Sequence, residues 1–189
     1  GQLLTPAGDS ALAYFDRAAQ LGRNDARVAP LRTHLSTRLI PSSRAAIDTD
    51  VAAAANLAAE ARRVGLDSAT LVALEEDVGA AVARERQRHL SARLGVASER
   101  VRSGALFVPA SDSALDHLTA LQTDAPDFAG LAEEWEAFRQ AAVLAIESSI
   151  ANRDWPTADT QLATLAKAPG GAIAAQPLAS ELAARRLQE

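Results

Sequence analysis

Apolar side chains recur along this chain at spacings of three and four residues, the period of one face of an α-helix. The clearest run is Leu131, Trp135, Phe138, Ala142, Ala145, Ile146 and Ile150, which predicts a helix from about Asp127 to Asn152. Val28, Leu31, Leu35, Leu39 and Ala46 make a similar stripe, with Pro41 inside it as an expected kink or break. Shorter stripes predict helices from about Ser10 to Leu21, with Leu12, Phe15 and Ala19 on one face, and from about Ser113 to Thr123, with Leu115, Leu118 and Gln122 in the corresponding places. Further helices are expected after Thr49 or Asp50, after Asp154, from about Ser68 and from about Ala172. The one from Ser68 carries Leu71, Leu74, Val78 and Val82 and can run on to about Arg102. A helix of about 35 residues is unusual, so a break near His89 or Gly95 is expected. Asp9, Asp112 and Asp154 are placed to cap helices, since a short side-chain oxygen accepts from an unpaired amide of the first turn. Pro6 and Pro109 stop any helix arriving from upstream, and Pro156 sits in a first turn, where proline is tolerated.

The pattern repeats. Pro6-Ala7-Gly8-Asp9-Ser10-Ala11-Leu12 returns as Pro109-Ala110-Ser111-Asp112-Ser113-Ala114-Leu115, and Gly1 and Leu3 pair with Gly104 and Leu106 at the same offset. Farther along, an offset one residue longer sets Leu31 opposite Trp135, Asp50 opposite Asp154, Val51 opposite Trp155, Ala54 opposite Ala158, Leu74 opposite Leu178 and Val78 opposite Leu182. Apolar stays opposite apolar, which is the mark of a duplication. The expected fold is all-α: antiparallel helical hairpins in two tandem homologous units, about 1–103 and about 104–189, four helices each. Ser91 to Gly104 has a helical rather than a linker pattern, so residues 1–189 are expected to form a single helical-repeat domain.

Arg153-Asp154-Trp155-Pro156-Thr157-Ala158, followed by Leu162 and Leu165, resembles the first helix of a tetratricopeptide repeat, in which a cap precedes an aromatic and a small residue follows at fixed spacing. The resemblance implies a solenoid of stacked helix pairs. Candidate first helices begin at about 9, 50, 112 and 154, at intervals longer than the family's roughly 34 residues, so the chain is tetratricopeptide-like rather than a regular array. The phrase from Gly104 to Leu115 resembles the periplasmic repeat region of TonB-like energy-transducer proteins. That resemblance implies a periplasmic spacer or scaffold in a bacterial envelope protein, with nothing catalytic. A start at Gly1-Gln2 without a methionine fits a piece of a longer chain, and a cytoplasmic location is the alternative.

Composition agrees with helix. The 189 residues include 45 Ala and 24 Leu, against 15 Val plus Ile and 4% aromatics, a mix that strands do not favour. There is no Cys, which removes disulfides, thiolate metal sites and cysteine catalysis. A net charge of −5 argues against a general nucleic-acid binder, because phosphate contacts need clustered positive charge. No apolar run approaches the ~20 residues that cross a bilayer, so no membrane insertion is expected from this segment.

Candidate chemistry is sparse. His34, His89 and His117 are far apart, and none has a partner at zinc-ligand spacing. Asp112, Ser113 and His117 invite comparison with a nucleophilic triad, but capping accounts for the first two, and Tyr14 stands where His117 does in the other copy. Glu75-Glu76-Asp77 and Glu133, Glu134 and Glu136 are expected to face water. Trp135 and Trp155 fall on inward faces. The one basic concentration spans Arg84, Arg86, Arg88, Arg93, Arg100 and Arg102. Its first four members are the candidate partner-binding residues, toward an anionic surface. No catalytic, cofactor-binding or metal-binding residue is expected, and no cofactor. The expected function is a non-enzymatic protein-interaction or spacer module of a larger bacterial envelope protein, with a protein or peptide partner. The alternative is a ligand-sensing helical domain with a small-molecule cavity between the units.

Overall fold

Alanine and leucine in long runs free of glycine favour helix over any other backbone state, and the chain takes that course. The structure, a computed structural model, describes residues 10–20, 28–65 and 69–188. Among them are eight helices and no strand: α1 (Ala11–Gln20), α2 (Val28–Ala46), α3 (Val51–Arg63), α4 (Ala69–Arg102), α5 (Ala114–Asp124), α6 (Leu131–Ala151), α7 (Trp155–Leu165) and α8 (Gly171–Arg186). The chain divides into two compact units, Gly1–Gln87 and Arg88–Glu189. The division falls inside α4, upstream of the seam near residue 103 that the repeat suggests.

In the first unit α2 packs between α1 and α3. Leu12 and Phe15 of α1, Val28, Leu35 and Leu39 of α2, and Leu71, Leu74 and Val78 of α4 share one core with Ala54, Ala58 and Ala61 of α3. The small side chains of α3 let its backbone come close to α2. The buried Ser43 hydroxyl donates to the Ala54 carbonyl at 2.8 Å across that gap, which satisfies the hydroxyl inside the core. At the rim Arg62 pairs with Glu75, and Arg63 with Asp16 and Glu60.

The second unit is built around α6, which touches α5, α7 and α8. Phe138 is fully buried and meets Phe107 and Trp135 edge-on, with ring centroids 5.7 and 5.6 Å away. Leu90 and Ala97, from the later part of α4, belong to the same core. Arg93 pairs with Asp124 at 2.6 Å, and the Ser98 hydroxyl donates to Glu134 at 2.5 Å, fixing this part of α4 to α5 and α6. Arg186, at the end of α8, lies over the Trp155 ring at 5.8 Å and pairs with Asp159 at 2.6 Å, closing the α7–α8 hairpin at its far end.

Three sequence expectations change. α4 runs unbroken through His89 and Gly95. One interior glycine costs about 1 kcal/mol, which the surrounding Ala, Arg, Leu and Glu and the buried anchors Leu90 and Ala97 outweigh. α2 likewise continues through Pro41, which lies on the solvent side, where water can take the carbonyl that proline leaves without a donor. The third change concerns capping. Asp154 caps α7, accepting from the Thr157 amide at 3.3 Å. Asp112, however, is not a cap: Ser113 is the N-cap of α5, in a reciprocal capping box with Asp116. Asp9 lies outside the described residues, but Ser10, which matches Ser113, accepts from the Ala13 amide at 3.3 Å. Replacing Ser113 with Ala is therefore expected to cost about 1 kcal/mol, measured as a lower denaturation midpoint with unchanged slope.

Positions a fixed distance apart are buried alike. At an offset of 103 these are Phe15 and Leu118, Val28 and Leu131, Leu35 and Phe138, Leu39 and Ala142, and Ser43 and Ile146. At 104 they are Ala54 and Ala158, Ala61 and Leu165, Val64 and Ala168, Leu71 and Ala175, Leu74 and Leu178, and Val78 and Leu182. The expected match of Leu31 with Trp135 fails: Leu31 is 40% exposed and Trp135 is buried. Through α2 and α6 the shorter offset holds, which sets Trp135 against Arg32.

Candidate functional site

The apolar stripe of α6 is wider than one face needs. Besides the buried set, α6 presents Leu144 outward next to half-buried Val143, and α8 presents Ile173 beside them. The result is a groove of about 670 Å³ along α6 and the start of α8. Leu144 is 66% exposed and Ile173 82%, unusual for side chains of this size. Its α6 wall follows Glu136, Arg139, Gln140, Val143, Leu144 and Glu147, a helical i, i+3, i+4, i+7 course about 16 Å long. Arg139 anchors one end. Its guanidinium donates to Glu136 at 2.6 Å and to the Pro169 carbonyl at 2.8 Å, holding the turn before α8 against α6. Hydrogen bonds from Arg139 and then Gln140 hold the Glu136 carboxyl below its usual range. Glu147 marks the other end and is exposed.

Two further cavities lie in the same unit. One, of about 670 Å³, sits between α5 and the end of α7, over Trp135, whose indole N–H donates to Gln122 at 3.1 Å. The other, about 390 Å³, is lined by Leu106, Phe107, Val108 and the outer face of α7. Its threonines Thr160 and Thr164 donate to the α7 carbonyls of Pro156 and Thr160, which turns their polarity back into the helix. The cavity over Trp135 is also lined by Asp116, Lys167 and Thr123, and the Thr123 hydroxyl donates back to the Thr119 carbonyl at 3.0 Å.

The residues singled out by sequence are placed as follows. Arg84, Arg86 and Arg88 are exposed on α4, with Arg84 and Arg88 one turn apart and Arg86 on another side. Arg93 is drawn inward by Asp124, Arg100 by Asp112, and Arg102 pairs with Glu99. Arg93, Arg100 and Arg102 are thus held in separate contacts, while Arg84, Arg86 and Arg88 stand exposed. His34 and His89 are exposed. His117 is half-buried within α5, and its Nε2 lies 2.9 Å from Asp112 Oδ1. The Ser113 hydroxyl donates instead to Asp116 at 2.6 Å. Serine and imidazole thus engage different carboxylates, and the triad arrangement is not formed. Trp135 is in the core as expected, whereas Trp155 is half-buried beneath Arg186. Among the described residues no group of three His, Asp or Glu is placed to hold a metal ion, and no helix is long and apolar enough to cross a membrane.

The α5 entry carries a pH dependence. The hydrogen bond from Ser113 holds the Asp116 carboxyl below its ordinary value, and His117, then Arg100, do the same for Asp112. A carboxyl depressed by folding adds stability above its unfolded pKa and loses it as pH falls through the folded value. Asp116→Asn should therefore lower the melting temperature at about pH 6, and the gap to wild type should close on titration below about pH 4, followed by circular dichroism.

Compared with known protein families, curated proteins and solved structures, the chain matches none.

Proposed function

We propose that this chain is a non-enzymatic interaction module: a tetratricopeptide-like helical solenoid of two tandem homologous units, serving as scaffold or spacer in a larger bacterial envelope protein. The paired burial of positions 103 and then 104 apart supports the duplication, since independent helices have no reason to match burial at so many sites with a single one-residue shift. The observation that carries the interaction reading is the groove on α6 and α8, where two large apolar side chains stand in solvent between charged ends. Such a surface gains free energy when covered, at about 25 cal/mol per Å² of apolar area. A protein or peptide partner covers it, and its chemistry is binding.

The test is a photo-crosslinking amino acid placed at Ile173 in the full chain, in cells, with Ala179 on the exposed part of α8 as control. A discrete protein adduct from position 173 and none from 179 is expected. No adduct from 173 overturns the reading.

A further inference from the structure

The equivalent helices α2 and α6 carry opposite net charge. α6 has four glutamates and one arginine, a net −3, while α2 has three arginines and no acid, a net +3. The contrast reaches the residues of the groove. At the offset of 103, Gln140, Val143, Leu144 and Glu147 correspond to Thr37, Ile40, Pro41 and Arg44. Both stripes run i, i+3, i+4, i+7 and hold two apolar residues at the centre. One ends in a carboxylate, the other in a guanidinium. Thr37, Pro41, Arg44 and the neighbouring Arg38 are exposed, and Ile40 is half-buried.

Resting on the reading of the α6–α8 groove as a partner surface, we propose that its occupant is the α2 face of a second copy of this chain. The pair places Ile40 and Pro41 over Leu144 and Ile173, and brings Arg44 toward Glu147, with Arg38 adding positive charge beside it. Opposite fields of this kind steer encounter and fix register. Each chain offers one groove and one α2 face, so a single contact takes one of these surfaces from each copy.

Sedimentation velocity on the full chain tests this. Wild type is expected to associate as its concentration rises at about 50 mM salt, and to weaken about tenfold or more at about 500 mM, where the Debye length has shrunk to a few Å. Ile173→Asp, and separately Arg38→Glu with Arg44→Glu, should each leave the chain monomeric with unchanged circular dichroism. The decisive arm mixes the two variants. One keeps a good α2 face and the other a good groove, so together they form a one-to-one complex that grows no further. Wild type that stays monomeric throughout, an Arg38/Arg44 variant that associates like wild type, or a mixture without complex each overturns the proposal. If position 173 crosslinks only to a different protein, the self-association is wrong while the interaction reading stands.

Discussion

Phe138→Ala is expected to cost the second unit about 3–5 kcal/mol, because it removes a fully buried ring and leaves a cavity its neighbours fill only in part. The loss includes two edge-to-face contacts, with Phe107 and Trp135. Both tryptophans of the chain, Trp135 and Trp155, lie in this unit, so urea denaturation followed by tryptophan fluorescence reads it without interference from the first. The midpoint should fall sharply, and native emission should shift red as Trp135 gains solvent. Phe138→Leu should cost less than half as much, since the first unit builds its core with Leu35 at the matching position. An alanine variant within about 1 kcal/mol of wild type would mean that this ring is not the centre of the core.

Two glycines should respond in opposite directions. A Cβ on Gly171 would stand 1.9 Å from the Leu165 carbonyl oxygen and 2.9 Å from its carbon, both backbone atoms that cannot swing away. Gly171→Ala must therefore push α8 off the end of α7, at a cost of about 1–3 kcal/mol or more. Gly95 sits in the middle of α4 with nothing within 4 Å of an added Cβ. Gly95→Ala should stabilise by about 0.5–1 kcal/mol, through the smaller freedom of the unfolded chain. Thermal melts of the two variants beside wild type check both signs. The same substitution gives opposite results because only Gly171 is a packing glycine.

The helices were legible because their stripes are regular, and the ends were legible where chemistry is local. Asp154 and Asp50 cap by reaching three residues ahead, within sight of the sequence. Asp112 misleads for the converse reason. Asp112 and Ser113 both have the oxygen a cap needs, but Arg100 and His117 engage Asp112, and only Ser113 takes the extended backbone of an N-cap. Arg100 lies twelve residues away, so spacing alone does not reveal the competition. The groove was hidden differently. Leu144 and Ile173 have the hydropathy of core residues, and α6 is apolar over so much of its surface that periodicity cannot tell the inner apolar face from the outer one. The basic stretch of α4 looked like one feature because its arginines are near in sequence, whereas the carboxylates that hold Arg93 and Arg100, Asp124 and Asp112, lie outside α4.

The change of offset from 103 to 104 marks where this protein can be cut and rejoined. It falls between Ser43 and Ala54 in one unit, and between Ile146 and Ala158 in the other. A chimera exchanging residues 28–43 for 131–146 stays on one side of it and keeps every inward position facing inward. One whose junctions straddle the point must carry its own turn, or the next helix arrives rotated by about 100° and shows its greasy side to water. Natural recombination and deliberate grafting meet the same rule: the cassette ends before the turn, not after it.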